Sequence, residues 1–210
     1  MTVHPLLPVL LAAASGEFPP ADGAVVALPP LPGGLAAVVS LTGRAYVAAD
    51  EPPDGLDAFG GTFRPEVLLR LAGPGGEVGT LDVTLVAHGL GGGVGGGGLP
   101  ARTDLDGHPR VRHARAIRRD VRVYGDERGL VTLAAGLAGR RELSLELSGQ
   151  GERGVGRGLI TDALGLVPAG EPVFAAVAPG NARSLRAFLA VGFQPVGAEV
   201  ILRTAAGSAR

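Results

Sequence analysis

A glycine-rich turn at 153–158 is the strongest candidate for a ligand site in this sequence. It reads R-G-V-G-R-G and is followed by the start of a predicted helix. The first N–H groups of a helix have no backbone partners, and the helix dipole is positive at that end. Glycines let a phosphate approach those N–H groups closely. The turn therefore predicts a pyrophosphate site, with Arg153 and Arg157 either contacting the phosphate or lying as solvated residues at the helix start.

The sequence pattern of this turn is not specific by itself. An Arg or Gln, two residues, a Gly, one residue and a Gly or Ala occur again at Arg70–Gly75, and a chain of this composition is expected to hold about one chance match. The second match follows a predicted helix instead of opening one, so we set it aside. A P-loop is excluded because the chain has no Lys. A dinucleotide-binding unit would need an acidic residue at the end of the next strand, about 20 residues after the turn. Glu171 lies before that strand, so this kind of site is disfavoured.

The strand before the turn has one polar face. In Arg141–Ser148 the leucines alternate with Glu142, Ser144, Glu146 and Ser148. A central strand is normally buried on both faces, so a polar face predicts a cavity beside it. The alternative is a solvent-facing strand with paired glutamates.

Composition and charge narrow the possible functions. Cysteine is absent, which excludes a disulfide framework, cysteine-ligated zinc and a cysteine nucleophile. His108 and His113 are five residues apart, a spacing that is not usual for zinc, so we predict no metal site. Residues 1–105 hold 4 Arg and 10 acidic residues, whereas residues 106–210 hold 15 Arg and 10 acidic residues. The second half suits an anionic ligand, while the net charge of −1 argues against a nucleic-acid binder.

The apolar segments are too short to cross a bilayer, because Pro and Gly interrupt them. Leu6–Ala14 has the length of a signal-peptide core, but it contains Pro8 and no Lys or Arg precedes it. We therefore expect a first helix here, and a cytoplasmic protein without a membrane partner.

The glycine-rich stretch Gly89–Gly98 is the clearest seam in the chain. It predicts an N-terminal α+β subdomain over 1–88, a linker or loop over 89–100 and a second domain over 101–210. The N-terminal part predicts the strands Ala24–Leu28, Leu35–Leu41 and Arg44–Ala49 with a turn at Thr42–Gly43, then a helix at Arg64–Ala72 and a half-buried strand at Thr80–Ala87.

The C-terminal part predicts the order α-β-β-β-α-β-α-β, a mixed α/β layer. A helix at His108–Arg119 precedes three antiparallel strands, at Val121–Tyr124, Leu130–Leu137 and Arg141–Ser148. The glycine turn then opens a helix that continues to about Leu166. A strand at Val173–Ala178, apolar throughout and expected to be buried on both faces, a helix at Ala182–Val191 and a strand at Pro195–Arg203 complete the order.

This C-terminal order resembles the GNAT superfamily of acetyl-CoA-dependent N-acetyltransferases. The strand L-S-L-E-L-S leads into R-G-V-G-R-G-L, as in that family, and the strand V-F-A-A-V-A follows. The segment N-A-R-S-L-R-A-F-L-A-V-G-F then resembles the family's asparagine-initiated helix, and it contains the one Asn of the chain. The resemblance covers the last 90–100 residues and implies a GNAT-like acyl-CoA N-acyltransferase fold, α/β with a mixed sheet, carrying an N-terminal α+β extension.

The resemblance also implies the residues that bind acetyl-CoA. The turn residues Gly154, Val155, Gly156 and Gly158 would cradle the pyrophosphate with Arg153 and Arg157. Asn181 and Ser184 would contact the pantetheine arm or the thioester, although Asn181 is equally suited to capping its helix. A backbone N–H near Leu147 would polarise the thioester carbonyl.

Catalysis by such an enzyme needs a base for the amine and an acid for the leaving thiolate. The resemblance implies that a glutamate of Arg141–Ser148 is the base, Glu146 in the first place and Glu142 in the second. Many members of the family carry Tyr seven residues after the Asn, where this chain has Phe188. Tyr124 is then the candidate acid, unless the thiolate leaves unassisted and Tyr124 is an ordinary strand aromatic.

A dense basic run lies between Arg110 and Arg122. It is either the solvated face of a helix or a site for an acidic acceptor or the 3′-phosphate of CoA. The sequence as a whole predicts an N-acetyltransferase that uses acetyl-CoA and an unidentified amine acceptor, with a homodimer left open. A non-catalytic acyl-CoA-binding module and an interaction protein are the alternatives.

Overall fold

A computed structural model describes residues 3–52, 55–92, 98–149 and 154–205. The chain forms two compact units, Met1–Thr84 with Val196–Arg210, and Leu85–Pro195. Both units combine helices with a sheet that has parallel and antiparallel pairs, which confirms the mixed α/β class. In chain order the helices and strands of the described residues are α1 (Leu6–Ala14), β1 (Val25–Leu28), β2 (Leu35–Leu41), β3 (Arg44–Ala48), α2 (Pro65–Ala72), β4 (Glu77–Val78), β5 (Asp82–His88), α3 (Pro109–Ile117), β6 (Arg119–Asp126), β7 (Gly129–Ala135), β8 (Arg141–Leu147), α4 (Val155–Gly165), β9 (Pro172–Val177), α5 (Ala182–Ala190) and β10 (Gln194–Arg203).

The first unit is a sheet in the order β1-β3-β2-β10 with α2 packed on it. The hairpin between β2 and β3 turns at Thr42 and Gly43, both with positive φ (46° and 75°). Two such residues match the twist of a two-residue hairpin, so the predicted turn is confirmed. The core of this unit is aliphatic, with Val38 and Val200 paired across the sheet and Leu71 of α2 packed in the same cluster.

Strand β5 differs from its prediction. The alternating pattern of Thr80–Ala87 predicted one exposed face, but every residue from Thr84 to Ala87 is buried. Thr84 can be buried because its hydroxyl donates a hydrogen bond of 2.6 Å to the carboxylate of Glu199, itself buried in β10. The half-buried interpretation of this strand was wrong because the partner that satisfies Thr84 is 115 residues away in sequence.

The predicted seam at 89–100 stays a prediction, and its residues 93–97 lie outside the described part of the chain. Gly89 and Leu90, the first residues of this stretch, form backbone hydrogen bonds within the second unit. Gly89 N–H donates to Glu171 O at 2.8 Å, and Leu90 N–H donates to Leu164 O at 3.0 Å. Strand β10, predicted as part of the second domain, pairs along most of its length with β2 of the first unit.

The second unit holds the predicted three-stranded meander. Its sheet has the order β9-β8-β7-β6, in which β6, β7 and β8 are antiparallel neighbours and β8 pairs with β9 in parallel. Val111 of α3 packs with Val123 and Leu130 on one face of this meander. The register gives Glu146 the same face as Leu130, because residues directly opposite in antiparallel strands share a face.

A buried ionic cluster joins α3 to β8 where β8 meets β9. Glu142 is 1% exposed, and its carboxylate lies 2.5 Å from Nη2 of Arg118, just after α3, and 3.2 Å from Nη2 of Arg140. The guanidinium of Arg140 also stacks over the ring of Phe174, the residue of β9 that pairs with Glu142. Burial opposes the charge of Glu142, but the two guanidinium groups outweigh it and hold its pKa below the ordinary value.

The cluster makes a testable contribution to stability. Glu142→Gln leaves two buried guanidinium groups without their counter-charge, and we expect a loss of about 3 kcal/mol in the free energy of unfolding. The matched control is Glu171→Gln, which breaks an exposed pair with Arg141 and should cost less than about 1 kcal/mol. Urea unfolding at neutral pH measures both variants.

The pH dependence follows from the lowered pKa of Glu142. A carboxyl group with a depressed pKa stabilises the fold above its unfolded pKa and loses that contribution as the pH falls through its folded pKa. The difference in the free energy of unfolding between the wild type and Glu142→Gln should therefore be largest at neutral pH and become smaller in acid. Equal unfolding midpoints for Glu142→Gln and Glu171→Gln at neutral pH would contradict a stabilising role of the cluster.

Candidate functional site

One cleft in the second unit brings together most of the predicted site residues. It has a volume of about 920 Å³ and is bounded by the end of β8, the start of α4 and the face of α5. The predicted residues that line it are Glu146, Leu147, Gly154, Gly156, Arg157, Asn181 and Ser184. Val155 and Gly158 lie at the same helix start, and Arg153 lies outside the described residues.

The cleft opens because β8 and β9 part. Their parallel register consists of the single pair Glu142 and Phe174, after which the end of β8 is no longer paired with β9. Ser148 N–H donates to Arg128 O at 3.0 Å on the β7 side. Successive residues of a strand direct their N–H groups to opposite edges, so the N–H of Leu147 points away from β7 and towards the cleft. The wall opposite β8 is formed by α5.

The start of α4 has the geometry of an anion site. Gly154 is its N-cap, with a positive φ of 97° that favours glycine. The first hydrogen bond within the helix runs from Gly158 N–H to Gly154 O at 2.9 Å. The N–H groups of Val155, Gly156 and Arg157 precede it and are directed out of the helix end. Phosphate binding at such an end is a general property of helices.

The cleft is strongly basic. Among the described residues, Arg110, Arg157, Arg183 and Arg186 line it, against the carboxylate of Glu146. Arg183 and Arg186 were not among the predicted site residues. Arg183 and Arg186 are three residues apart on the helix capped by Asn181, so they share one face of that helix. This spacing could have identified them from the sequence. The charge of the cleft suits a ligand with several negative charges.

The far wall of the cleft combines a helix cap and an aromatic pair. Asn181 Oδ1 accepts a hydrogen bond of 3.1 Å from Ser184 N–H, which confirms that Asn181 caps α5. The carboxamide NH₂ of Asn181 takes no part in this bond and remains a donor at the cleft. Phe188 lies deeper, 4% exposed, with its ring 4.8 Å from that of Phe193 in an edge-to-face arrangement. Phe188 therefore reaches this cleft without a hydroxyl group.

Glu146 stands between two cavities. Its side chain is 46% exposed, and its carboxylate accepts a hydrogen bond of 2.9 Å from Nε of Arg110. Nε2 of His108 lies 3.9 Å from the other carboxylate oxygen. A second cavity, of about 460 Å³, opens on the His108 side, and Glu146 and Leu147 line both spaces.

The other two candidate catalytic residues lie away from both cavities. Glu142 is enclosed by Arg118 and Arg140 and is not among the lining residues of either space in the described chain. Tyr124 pairs with Val131, which pairs with Leu145, so it belongs to the sheet face opposite that of Glu146. It is two strands away from β8. The structure thus brings Glu146 to the cavities and leaves Glu142 and Tyr124 elsewhere.

The polar face of β8 is mostly covered by arginines instead of opening onto a cavity. Arg118 binds Glu142 and donates to Ser144 Oγ at 3.2 Å, while Arg110 binds Glu146. Neither interpretation of the basic run included this role. His108 was also missed as a site residue. It caps α3 by accepting a hydrogen bond of 3.2 Å from Arg110 N–H at Nδ1.

The second match to the glycine pattern lies in a different setting. Arg70 and Gly73 line a cavity of about 380 Å³ in the first unit, together with Asp50 and Glu51. Helix α2 ends at Ala72, so the carbonyl groups of a helix C-terminus face this place. Two carboxylates and the negative end of a helix disfavour phosphate there.

Comparisons with known proteins give a limited picture. No family model matches the chain, and no curated protein matches it. Among solved structures, one similar chain is a protein of Novosphingobium aromaticivorans assigned to the GNAT family of acetyltransferases. It is 18% identical, with a TM-score of 0.45, over 63% of this chain and 69% of that chain. In the described part of the chain no helix is long and apolar enough to cross a membrane, and no group of three or more acidic or histidine side chains could hold a metal ion.

Proposed function

We propose that this protein is an N-acetyltransferase that moves an acetyl group from acetyl-CoA to an amine acceptor. The observation that carries the proposal is the cleft itself. A glycine-capped helix start, four arginines and the polar end of β8 meet in one space of about 920 Å³. Acetyl-CoA has a pyrophosphate and a 3′-phosphate at one end and a thioester at the other, which matches this distribution of charge.

The phosphate end of acetyl-CoA would bind at the start of α4. The N–H groups of Val155, Gly156 and Arg157 would bind the pyrophosphate, and the helix dipole favours its charge. A Cβ at Gly156 would lie 3.6 Å from Leu147 Cδ1, an ordinary contact distance, so the start of α4 lies beside the end of β8. Arg183 and Arg186 of α5 supply positive charge from the opposite wall.

The thioester of acetyl-CoA would lie beside the last residues of β8. There the N–H of Leu147 points into the cleft and would donate to the carbonyl oxygen as negative charge develops on it. The carboxamide of Asn181 is the donor available for the pantetheine arm. Acetyl-CoA supplies the activated acyl group, and the remaining chemistry depends on proton transfer.

Glu146 is the proposed base. An aliphatic amine is protonated at neutral pH and must lose a proton before it can attack the carbonyl carbon. The carboxylate of Glu146, at the junction of both cavities, would accept that proton directly or through water and return it to solvent. The nitrogen then forms the new C–N bond, the C–S bond breaks with the electron pair on sulfur, and the second proton that the nitrogen loses goes to the departing thiolate or to solvent. Thiols have pKa values near 8.5, so the thiolate can leave without a dedicated acid, as the phenylalanine at 188 requires.

A second candidate is a non-catalytic acyl-CoA-binding module. Phe188 favours it, because the described part of the cleft contains no tyrosine hydroxyl. Both candidates bind acetyl-CoA in the same cleft, and they differ in turnover.

Binding of acetyl-CoA is the first test. Calorimetric titration should show binding that is weakened at least about tenfold by Gly156→Glu, since the new carboxylate would occupy the phosphate site at the helix start. Gly165→Glu is the matched control. It places the same side chain at the other end of α4, where a Cβ meets nothing within 4 Å, and it should bind as the wild type does. Equal binding by both variants, or no binding by the wild type, would sink the proposal.

Turnover tests the base. Glu146→Gln should lower kcat about a hundredfold on an amine panel while acetyl-CoA binding persists, because an amide cannot accept the proton. Glu171→Gln, an exposed variant that lines neither cavity, should retain the wild-type rate. An unchanged kcat in Glu146→Gln would remove Glu146 from this role. A wild type that binds acetyl-CoA but acetylates no amine would support the non-catalytic module.

A further inference from the structure

Arg128 connects the end of β8 to the helix at which the phosphate is proposed to bind. It lies in the turn between β6 and β7, and its carbonyl oxygen accepts the hydrogen bond of 3.0 Å from Ser148 N–H, just after β8. Its side chain reaches α4, where Nη2 lies 2.6 Å from a carboxylate oxygen of Asp162. One residue therefore contacts the two elements that flank residues 149–154 in the sequence.

The guanidinium of Arg128 is held in one orientation by two carboxylates. Nε and Nη2 donate to the same oxygen of Asp126, at 2.9 and 2.6 Å, while Nη2 also donates to Asp162. The bonds with Asp126 and Asp162 raise the pKa of Arg128, and the bond with Arg128 lowers the pKa of Asp126. Charge-assisted bonds from a planar guanidinium have a fixed direction, so this side chain links its turn to α4 in a defined geometry.

Gly158 lets the guanidinium lie close to the beginning of α4. A Cβ at this position would be 3.2 Å from Nη1 of Arg128, closer than an ordinary van der Waals contact. Asp162 is four residues further along the helix and shares the face of Gly158. The N–H of Gly158 already donates to Gly154 O within the helix. What glycine contributes at 158 is therefore space for Arg128.

Apolar packing also holds α4, but it does not fix the direction of the helix. Leu159 and Ile160 are fully buried, and their burial favours the docked helix. Hydrophobic contact is non-directional, whereas hydrogen bonds from N–H groups to a phosphate need a distance near 2.9 Å and a nearly linear arrangement. The directional link from Arg128 to α4 supplies what the apolar contacts lack.

We infer that Arg128 is a positioning residue of the phosphate site, which orients the start of α4 against the end of β8. The inference rests on the proposed function for the identity of the ligand. Arg128 is not among the residues that line the cleft in the described ranges of the chain, so it acts through α4 and not by touching the ligand.

Two variants of opposite charge test this role. Arg128→Gln and Asp162→Ala break the same link, but the first removes a positive charge and the second a negative one. Positioning predicts that both raise the Kd for acetyl-CoA about fivefold, the scale of one charge pair, and that the double variant binds no more weakly than either single one. An effect of charge alone predicts that Asp162→Ala binds acetyl-CoA more tightly, because the phosphates are then repelled less.

A donor without phosphates separates positioning from a general loss of structure. S-acetylpantetheine has the thioester and the pantetheine arm of acetyl-CoA but lacks its phosphates. Arg128→Gln should raise KM for acetyl-CoA with little change in kcat, and should leave kcat/KM for S-acetylpantetheine within about twofold of the wild type. A variant that has lost structure throughout the unit would lose activity with both donors.

The matched controls are Arg141→Gln and Glu171→Ala. They break a pair of the same length in the same unit, between two partly exposed side chains, and make the same two changes of charge. Both should bind acetyl-CoA as the wild type does. Hydrogen exchange of the free protein gives a second measurement, in which Gly158 N–H should exchange faster in Arg128→Gln than in Arg141→Gln.

The outcomes separate this inference from the proposed function. If the wild type binds acetyl-CoA and Asp162→Ala binds it equally well or more tightly, the positioning role is wrong and the proposed function stands. Unchanged exchange at Gly158 in Arg128→Gln would also overturn the inference. If the wild type does not bind acetyl-CoA, the proposed function fails, and the phosphate site on which the inference rests fails with it.

Discussion

The buried carboxylate of Glu142 is the interaction on which the second unit depends. It holds Arg118 at the end of α3, Arg140 ahead of β8 and, through the stacking of Arg140 on Phe174, the strand β9. All of these meet at the one residue pair where β8 and β9 are in register. The cluster thus holds α3, β8 and β9 together at the start of β8, while the end of β8 separates from β9.

This division of β8 explains how one strand can serve structure and chemistry. The glutamate at the closed end is enclosed and ionised by its guanidinium partners, which suits a structural anchor. The glutamate four residues later, Glu146, is half exposed and lies between two cavities. The same helix supplies an arginine to each end, and Arg110 balances Glu146 as Arg118 balances Glu142.

Local patterns predicted the elements well, and long-range contacts account for most of what they missed. The meander, the glycine-opened α4 and the cap at Asn181 each depend on neighbouring residues, and the sequence alone indicated them. The polar face of β8 was correctly identified, but alternation cannot tell an open cavity from a face covered by arginines 26 to 36 residues away. Likewise, His108 could be identified as a helix start but not as a neighbour of Glu146, since that contact depends on how α3 docks on the sheet.

The most direct measurement of the central claim is an amide spectrum of protein labelled with ¹⁵N-glycine, recorded as acetyl-CoA is added. The account predicts that Gly154, Gly156 and Gly158 shift with a common affinity, while Gly34 and Gly73, which line the cavity of the first unit, do not. The cleft would then be the donor site and α4 its phosphate anchor. Shifts at Gly34 and Gly73, or none at the start of α4, would contradict the account.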